Sequence, residues 1–377
     1  MNTKYLDRYL DEMPQRGIPQ CSLFVTLDGK TVYEKTVGRE TQERNIGFVC
    51  SISKITTCVA AMRLVEEGKL GLDDPVSRYL PAYANLTVKQ KDGSVTPAQN
   101  VMTIRQLFTM TGGLNYNLKA EPIAQVTADR SAGTIEVVNA FAKSPLDFEP
   151  GTKFQYSLCH DVLAAVVEVV SGVRFSDYVK KIILDPLSMK DTGYHLPEDL
   201  RLRLAKQYSY RHGVSRAVER EPACPYVLTD NYDSGGAGLY TTAEDQIKLM
   251  TTLALGGTNK EGYRLLKTET VAKMEVGLLS DEILKKFMPN RLYGYSWGLC
   301  GRVHVDPIVS SSPSSVGEFG WDGATGSFAL IDRKNRLAIY FGAHIYDNDY
   351  MTHKGQDFIR DLVYRTVLPE EAAKILP

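Results

Sequence analysis

A serine and a lysine three positions apart are the side chains of this sequence best suited to chemistry. Ser51 and Lys54 lie in CSISKITTCVA, residues 50–60, and form an S-x-x-K motif. Positions i and i+3 of a helix share one face, and apolar surroundings favour the neutral, basic form of a lysine amine. The pair therefore predicts a nucleophilic serine whose proton is taken by a lysine.

The position of Ser51 admits two interpretations. The preceding residues IGFVC are extended and apolar, so a helix begins at or beside Ser51, where free N–H groups and the positive end of the helix dipole favour a developing anion. A serine at a helix start is also a common N-cap, with the lysine then at the surface. The pair alone leaves both interpretations open.

The elements that position this pair follow from hydrophobic periodicity. CSLFVT and TVYEKTVG flank an Asp28–Gly29 turn, and SFALI and RLAIYFGAH flank DRKN, so both ends of the chain supply β-hairpins. Helical spacing marks TKYLDRYLDEM, GQDFIRDLVYRTVL and most of the sequence between the hairpins. We predict an α+β fold, in which an antiparallel β-sheet is flanked by the N- and C-terminal helices. The sheet lobe covers residues 1–85 and 230–377, and a mostly helical lobe, 86–229, is inserted.

Charge and residue usage favour a small-molecule partner. The 44 Lys and Arg residues nearly cancel the 45 Asp and Glu residues, without any block of like charge, so nucleic acid is not expected as a partner. Six scattered cysteines without C-x-x-C spacing predict reduced, mostly buried thiols. The six histidines form no metal-ligand pattern and no phosphate-binding glycine loop stands out, so we expect no metal and no cofactor.

The N-terminus and the apolar stretches bear on localisation. MNTKYLDRYLDEMPQRG carries charges every few residues in place of an apolar signal core. The apolar stretch DVLAAVVEVVSG is too short to cross a bilayer. As written, the sequence predicts a cytoplasmic protein without a membrane span, and an exported protein trimmed of its signal has the same appearance.

Longer segments of the chain resemble one family. FVCSISKITTCVAAMRLVEEGKLGLDDPVSRYLP looks like the nucleophile helix of the serine β-lactamase and penicillin-binding-protein superfamily, in the branch of class C β-lactamases, D-Ala-D-Ala carboxypeptidases and related esterases. MTIRQLFTMTGGL, FEPGTKFQYSLCHDVLAAVVEVVSG, YVKKIILDPLSMKDTGY and GGAGLYTTAEDQIKLM resemble further segments of that family, in the same order. The resemblance implies a β-lactamase/transpeptidase-like fold and an acyl-enzyme formed on Ser51.

The second motif of the resembled family falls at Tyr156, with Ser157 and Leu158 beside it. The resemblance implies that the Tyr156 hydroxyl is hydrogen-bonded to Ser51 and Lys54. In that place it helps to take the serine proton and to pass a proton to the leaving group.

The third motif resembles the W-x-G version of some esterase-type members and is formed by Trp321, Asp322 and Gly323. On this match the N–H of Ala324 joins the N–H of Ser51 as the oxyanion hole. Gly323 lets the acyl group approach the backbone closely, because glycine has no Cβ.

Two departures from the family pattern bear on the substrate. Leu158 stands where the family usually has Asn, and Trp321 and Asp322 replace a cationic residue and a threonine. A carboxylate-bearing substrate such as a penicillin or a D-Ala-D-Ala peptide should therefore bind poorly, unless an Arg from elsewhere in the chain compensates. We expect a serine hydrolase that cleaves an ester or amide through an acyl-enzyme, with room for weak β-lactam turnover. The alternative is a catalytically inactive scaffold of the same fold that binds a ligand or a partner.

Overall fold

The computed structural model describes residues 1–38, 45–210, 217–287 and 292–374. Its strands are β1 (Cys21–Leu27), β2 (Lys30–Val37), β3 (Gly47–Phe48), β4 (Thr87–Lys89), β5 (Val95–Pro97), β6 (Gln207–Tyr210), β7 (Ala217–Arg220), β8 (Tyr240–Thr241), β9 (Tyr295–Gly298), β10 (Gly301–His304), β11 (Phe319–Asp322), β12 (Phe328–Asp332), β13 (Leu337–Ala343) and β14 (Ile345–Tyr346). Its helices are α1 (Lys4–Asp11), α2 (Ser53–Glu66), α3 (Ile104–Phe108), α4 (Glu121–Val126), α5 (Thr134–Phe141), α6 (Cys159–Ser171), α7 (Phe175–Val179), α8 (Glu198–Arg201), α9 (Ala243–Ala254), α10 (Thr268–Met274), α11 (Asp281–Phe287), α12 (Pro307–Ser310), α13 (Gln356–Val367) and α14 (Pro369–Ala372).

The large sheet joins the two ends of the chain. Its strand order is β2-β1-β13-β12-β11-β10-β9, and every neighbouring pair is antiparallel. Asp28 and Gly29 both have positive φ, 49° and 71°, which is the type I′ geometry that suits the twist of a two-residue hairpin. The predicted α+β fold with an antiparallel sheet is confirmed, and so are both predicted hairpins.

The side chains of β13 alternate between the two faces of the sheet, and both faces are buried. Leu337, Ile339 and Phe341 pack into the cluster that holds α1 and α13, whereas Ala338 and Tyr340 pack into the cluster that holds α2, α6 and α9. Successive side chains of a strand point to opposite faces, so a strand covered on both faces has no polar side. The terminal helices therefore cover one face of the sheet, as the sequence predicts.

A buried carboxylate links the C-terminal helix to the sheet. Asp332, at the end of β12, accepts a hydrogen bond of 2.5 Å from the hydroxyl of Tyr364 in α13. Its oxygens also accept from the backbone N–H of Ser315 and from the amide of Asn335. Since a buried charge without hydrogen bonds is costly, this cluster fixes how α13 lies on the sheet.

Residues 86–229 contain α3 to α8 and the short strands β4 to β7. The division of the chain into a sheet lobe and a helical lobe stays a prediction. Within this range, β4 and β5 pair as a small antiparallel hairpin. The turn between them uses Gly93 at φ 87°, a conformation open to glycine at no steric cost.

The six cysteines are free and buried, as predicted. Over the described ranges, none of the helices has both the length and the apolar character needed to cross a bilayer.

Candidate active site

The segment that carries Ser51 enters helix α2 through a strained turn. β3 pairs with β8, and the chain then turns at Cys50, which has a left-handed φ of 47°. Such a φ is unfavourable for a non-glycine residue and marks positions that the surrounding structure holds in place. A short 3-10 turn over Cys50–Ile52 leads into α2. Ser51 lies half-buried in this turn and lines a cavity of about 620 Å³.

The side chain of a buried serine, Ser53, adds hydrogen bonds that hold this turn in place. The hydroxyl of Ser53 donates to the carbonyl of Cys50 at 2.6 Å and accepts from the N–H of Leu239 at 3.0 Å. The turn is thereby tied to the segment that leads into β8. The position of Ser51 thus depends on a residue nearly two hundred positions away.

The amine of Lys54 is buried and makes three hydrogen bonds. It donates to Ser51 Oγ at 3.1 Å, to the hydroxyl of Tyr116 at 3.0 Å and to the carbonyl of Gly236 at 2.6 Å. Only 1% of Lys54 is exposed, so the interpretation as a surface lysine beside an N-cap serine is excluded. The structure brings the predicted serine and lysine together at hydrogen-bond distance.

The tyrosine that the sequence singled out is close to the amine but bonded elsewhere. Tyr156 lines the cavity, and the centre of its ring lies 4.7 Å from Lys54 Nζ. Its hydroxyl accepts a hydrogen bond of 2.8 Å from the indole N–H of Trp321. Among the described residues, no hydrogen bond joins the Tyr156 hydroxyl to Ser51 or Lys54, which corrects that expectation.

Tyr116 is the residue that the sequence interpretation missed. Its ring stacks on that of Tyr156 with 5.7 Å between centres, and its hydroxyl takes the place beside Lys54. Burial, together with the nearby Tyr156 and the charge of Asp161, raises the pKa of Tyr116 well above its ordinary value. It is therefore a neutral phenol at pH 7. The available signal was its place just after the TGGL of a segment already matched to the family.

The third-motif residues line the other part of the cavity. Trp321, Asp322, Gly323 and Ala324 all contact it, as does Ser51. The N–H of Gly323 donates to the carbonyl of Ser327, whereas the N–H of Ala324 donates to no group among the described residues. This arrangement is compatible with the predicted oxyanion hole. The role of the two N–H groups stays a prediction.

Gly323 allows two backbone segments to touch. A Cβ at this position lies 2.3 Å from the carbonyl oxygen of Val49, two residues before Ser51. No real Cβ tolerates that distance to a backbone atom, so any other residue must separate β11 from the Ser51 turn. A glycine is required here by close approach, which is one of the reasons for its use at sites.

The wall of the cavity is mainly aromatic. The lining residues besides those of the third motif and Ser51 are Tyr116, Phe154, Tyr156, Tyr226 and Leu292. Behind them Trp297 packs edge-on against Trp321, with 4.5 Å between ring centres. Asp322 is the one charged side chain among the described residues that line the cavity, and it is negative.

Ser157 and Leu158, the neighbours of Tyr156, lie away from the cavity. The hydroxyl of Ser157 is fully buried and donates to the sulfur atoms of Cys159 at 3.2 Å and Met110 at 3.7 Å. Leu158 is 5% exposed and packs in the apolar core. Neither side chain contacts Ser51.

As regards metals, the described ranges contain no group of three or more His, Cys, Asp or Glu side chains arranged to hold an ion.

Comparison with known proteins places this geometry in context. The family profile described as Beta-lactamase matches residues 6–351. Esterase EstB of Burkholderia gladioli is 28% identical over 364 residues, which cover 89% of this chain and 88% of EstB. Protein Rv1367c of Mycobacterium tuberculosis (strain ATCC 25618 / H37Rv) is 30% identical over 311 residues, 78% of this chain and 76% of that protein. A solved structure, "EstCE1, a hydrolase with promiscuous acyltransferase activity", superposes with a TM-score of 0.79 at 26% identity and covers 96% of this chain and 98% of EstCE1.

Replacing Gly323 by alanine should separate Ala324 from Ser51, because the new Cβ meets the backbone of Val49. Loss of one oxyanion donor lowers the rate of serine chemistry by about a hundredfold or more. We expect a loss of this size in the rate at which a fluorophosphonate modifies Ser51, followed by intact mass. Gly133→Ala, where a Cβ meets nothing closer than 3.9 Å, is the matched control. An unchanged rate in Gly323→Ala contradicts this view of the site.

Proposed function

The chain belongs to the Beta-lactamase family and is a serine hydrolase, and we propose that it cleaves uncharged carboxylic esters through an acyl-enzyme on Ser51. The observation that carries the proposal is the hydrogen-bonded group of Ser51, Lys54 and Tyr116 at the base of an aromatic cavity. Nucleophile and base within hydrogen-bond reach are the signature of an activated serine. The similarity to an esterase adds support.

Acylation begins with proton transfer from Ser51 to Lys54. The neutral amine takes the hydroxyl proton as Ser51 Oγ attacks the ester carbonyl, across the 3.1 Å that separate the two atoms. The carbonyl oxygen gains the negative charge, and the N–H groups of Ser51 and Ala324 stabilise it. Lys54 holds the extra proton as an ammonium, whose other donors already have acceptors in Tyr116 and Gly236.

Collapse of the tetrahedral intermediate needs a proton at the departing alkoxide. Tyr116 can donate its own hydroxyl proton to that oxygen and receive one from Lys54 along the hydrogen bond of 3.0 Å. The lysine is then neutral again, Tyr116 is restored, and the acyl group stays on Ser51. Deacylation reverses these proton transfers, with water as the nucleophile in place of the alcohol.

The cavity favours an uncharged substrate. Its walls are aromatic, and no Lys, Arg or His stands among the lining residues that the structure describes. A substrate carboxylate finds no cation among these lining side chains to pair with, and it meets Asp322, a carboxylate that interacts electrostatically with Arg302 outside the lining. Apolar acyl or alcohol groups, by contrast, pack well on tyrosine and tryptophan rings.

The alternative function, an inactive scaffold that binds a ligand, finds no support in the comparisons. The relatives include an esterase and the superposed structure is that of a hydrolase. Amide and β-lactam substrates remain secondary candidates under our proposal. They are disfavoured because the positions that would supply a cation and an amide hold Trp321 and Leu158.

Replacing Ser51 by alanine should abolish turnover of para-nitrophenyl butyrate and abolish modification by a fluorophosphonate. The acyl-enzyme cannot form without the hydroxyl, so the residual rate should fall by a factor of about a million, as for other serine nucleophiles. Release of nitrophenol and intact mass measure the two effects. Ser94→Ala, in the exposed turn between β4 and β5, is the control and should keep the mass adduct. Turnover by Ser51→Ala at the wild-type rate rules out the mechanism.

The two tyrosines can be told apart by removing one hydroxyl at a time. Tyr116→Phe removes the group bonded to Lys54 and should lower kcat by about a hundredfold or more, the usual size of an acid–base contribution. Tyr156→Phe removes the hydrogen bond with Trp321 and should cost about tenfold or less. Steady-state kinetics on one ester measure both. If Tyr156→Phe lowers kcat more than Tyr116→Phe does, the proton transfers are assigned to Tyr156 instead.

A charged acyl group should be discriminated against. We expect kcat/KM for the para-nitrophenyl hemiester of succinate to be at least about tenfold below that for the butyrate ester, because like charges in an interface cost several kcal/mol. Asp322→Asn should narrow this difference, while kcat/KM for the neutral ester changes little. Equal kcat/KM values for the two esters in the wild-type enzyme contradict the proposed substrate class.

A further inference from the structure

A hydrogen-bond chain leads from Lys54 away from the cavity. The amine donates to the carbonyl of Gly236 at 2.6 Å, and the N–H on the other side of that same peptide belongs to Ala237. This N–H donates to the hydroxyl oxygen of Ser234 at 3.2 Å. The hydroxyl of Ser234 in turn donates to the carboxylate of Asp161 at 2.7 Å. An unbroken series of donors and acceptors therefore connects the amine with a carboxylate.

Asp161 is buried, and several hydrogen bonds hold its carboxylate in place. It lies in the first turn of α6 and is 1% exposed. Its Oδ1 also accepts from the hydroxyl of Tyr232 at 2.6 Å and from the N–H of Gly236 at 3.2 Å. Three donors aimed at one oxygen stabilise an ionised carboxylate in a buried site.

Close contact between the GGAGL segment, residues 235–239, and helix α6 explains two of the glycines in that segment. A Cβ at Gly236 lies 2.3 Å from Asp161 Oδ2, and a Cβ at Gly235 lies 2.5 Å from the Cβ of Ala164 in α6. Side chains at either position would push the loop off α6. The glycines therefore keep the Gly236 carbonyl aimed at Lys54.

Other titratable groups also lie around the amine. Side chains that contact Lys54 or act on it electrostatically, apart from Ser51, are Cys50, Cys58, Tyr116, Tyr156, Cys159 and His160. Burial lowers the pKa of His160 well below its ordinary value. Burial also raises the pKa of Cys58 and of Cys159, the latter to about 11. These three groups are neutral at pH 7, whereas hydrogen bonds with Cys224 and Tyr346 lower the pKa of the Cys50 thiol, and Asp161→Asn leaves those bonds in place.

We propose that Asp161 is a positioning residue that controls the proton balance of the catalytic pair through Ser234 and the Gly236–Ala237 peptide. The inference rests on the proposed function, because it concerns the lysine that acts as base there. A carboxylate at the end of the chain polarises each hydrogen bond toward itself, which makes the Gly236 carbonyl a better acceptor for the Lys54 amine. The negative charge thus favours the protonated amine and opposes ionisation of Tyr116.

Asp161→Asn is the direct test, since all three hydrogen bonds enter through Oδ1 and an amide oxygen can accept them at the same place. The substitution removes the charge and keeps the shape. We measure the rate of Ser51 modification by a fluorophosphonate as a function of pH. Both the acid and the alkaline limb should move to lower pH, by on the order of one unit.

Two further variants separate this role from a structural one. Asp332→Asn removes another buried carboxylate, bonded to Tyr364 and outside the chain, and should lower stability without moving the pH profile. Ser234→Ala interrupts the chain but leaves Asp161 bonded to Tyr232, and should move the profile in the same direction by less. If Asp161→Asn does not fold, the pH profile of Ser234→Ala tests the inference in its place.

Each outcome has a defined meaning. A wild-type enzyme that the fluorophosphonate does not modify at Ser51 refutes the proposed function and this inference with it. A modified wild type, with an Asp161→Asn profile that is unchanged or lowered evenly at all pH values, overturns the inference alone. A Ser234→Ala profile identical to that of the wild type overturns the route through Ser234.

Discussion

The burial of one amine governs the organisation of this site. Removing a lysine amine from water costs several kcal/mol unless its donors find acceptors. Lys54 meets this requirement with three acceptors, which come from its own helical turn, from the segment after α3 and from the loop before β8. Those three segments must therefore be fixed relative to one another before the serine can be activated. Under the proposed mechanism, activation of Ser51 therefore depends on the packing of these three segments.

Several features of the fold serve that requirement and have no obvious catalytic role. Ser53 bonds the turn that carries Ser51 to Leu239, and Thr57, one turn further along α2, donates to the carbonyl of Gly235 at 2.7 Å. Both contacts tie α2 to the same glycine-rich loop that holds the amine. The loop lies close to α6 because two glycines permit it. The site is thus positioned by buried polar contacts between helix and loop, inside an otherwise apolar core.

The sequence predicts those parts of the molecule that depend on local patterns. Hairpins, the terminal helices, and the Ser51–Lys54 spacing involve residues close in sequence, and period-2 or period-3.6 alternation reports them directly. The choice between Tyr116 and Tyr156 is different, because it depends on which hydroxyl the packing leaves beside Lys54. A motif match predicts where the backbone of Tyr156 lies, but it does not predict which way the hydroxyl of Tyr156 points. Asp161 and Ser234 could not be predicted either, since their link to Lys54 runs through the backbone of a third segment.

The altered third motif and the change of tyrosine partner meet at Trp321. Trp321 stands where the resembled family usually has a cationic residue, and its indole N–H donates to the hydroxyl of Tyr156 at 2.8 Å. The hydroxyl of Tyr156 is thus bonded to β11, and the hydroxyl of Tyr116 is the one that lies beside the Lys54 amine. The same tryptophan removes the positive charge that a carboxylate substrate needs. Under our proposal, Trp321 in β11 therefore bears both on the choice of Tyr116 as the proton-transfer partner of Lys54 and on the preference for uncharged substrates.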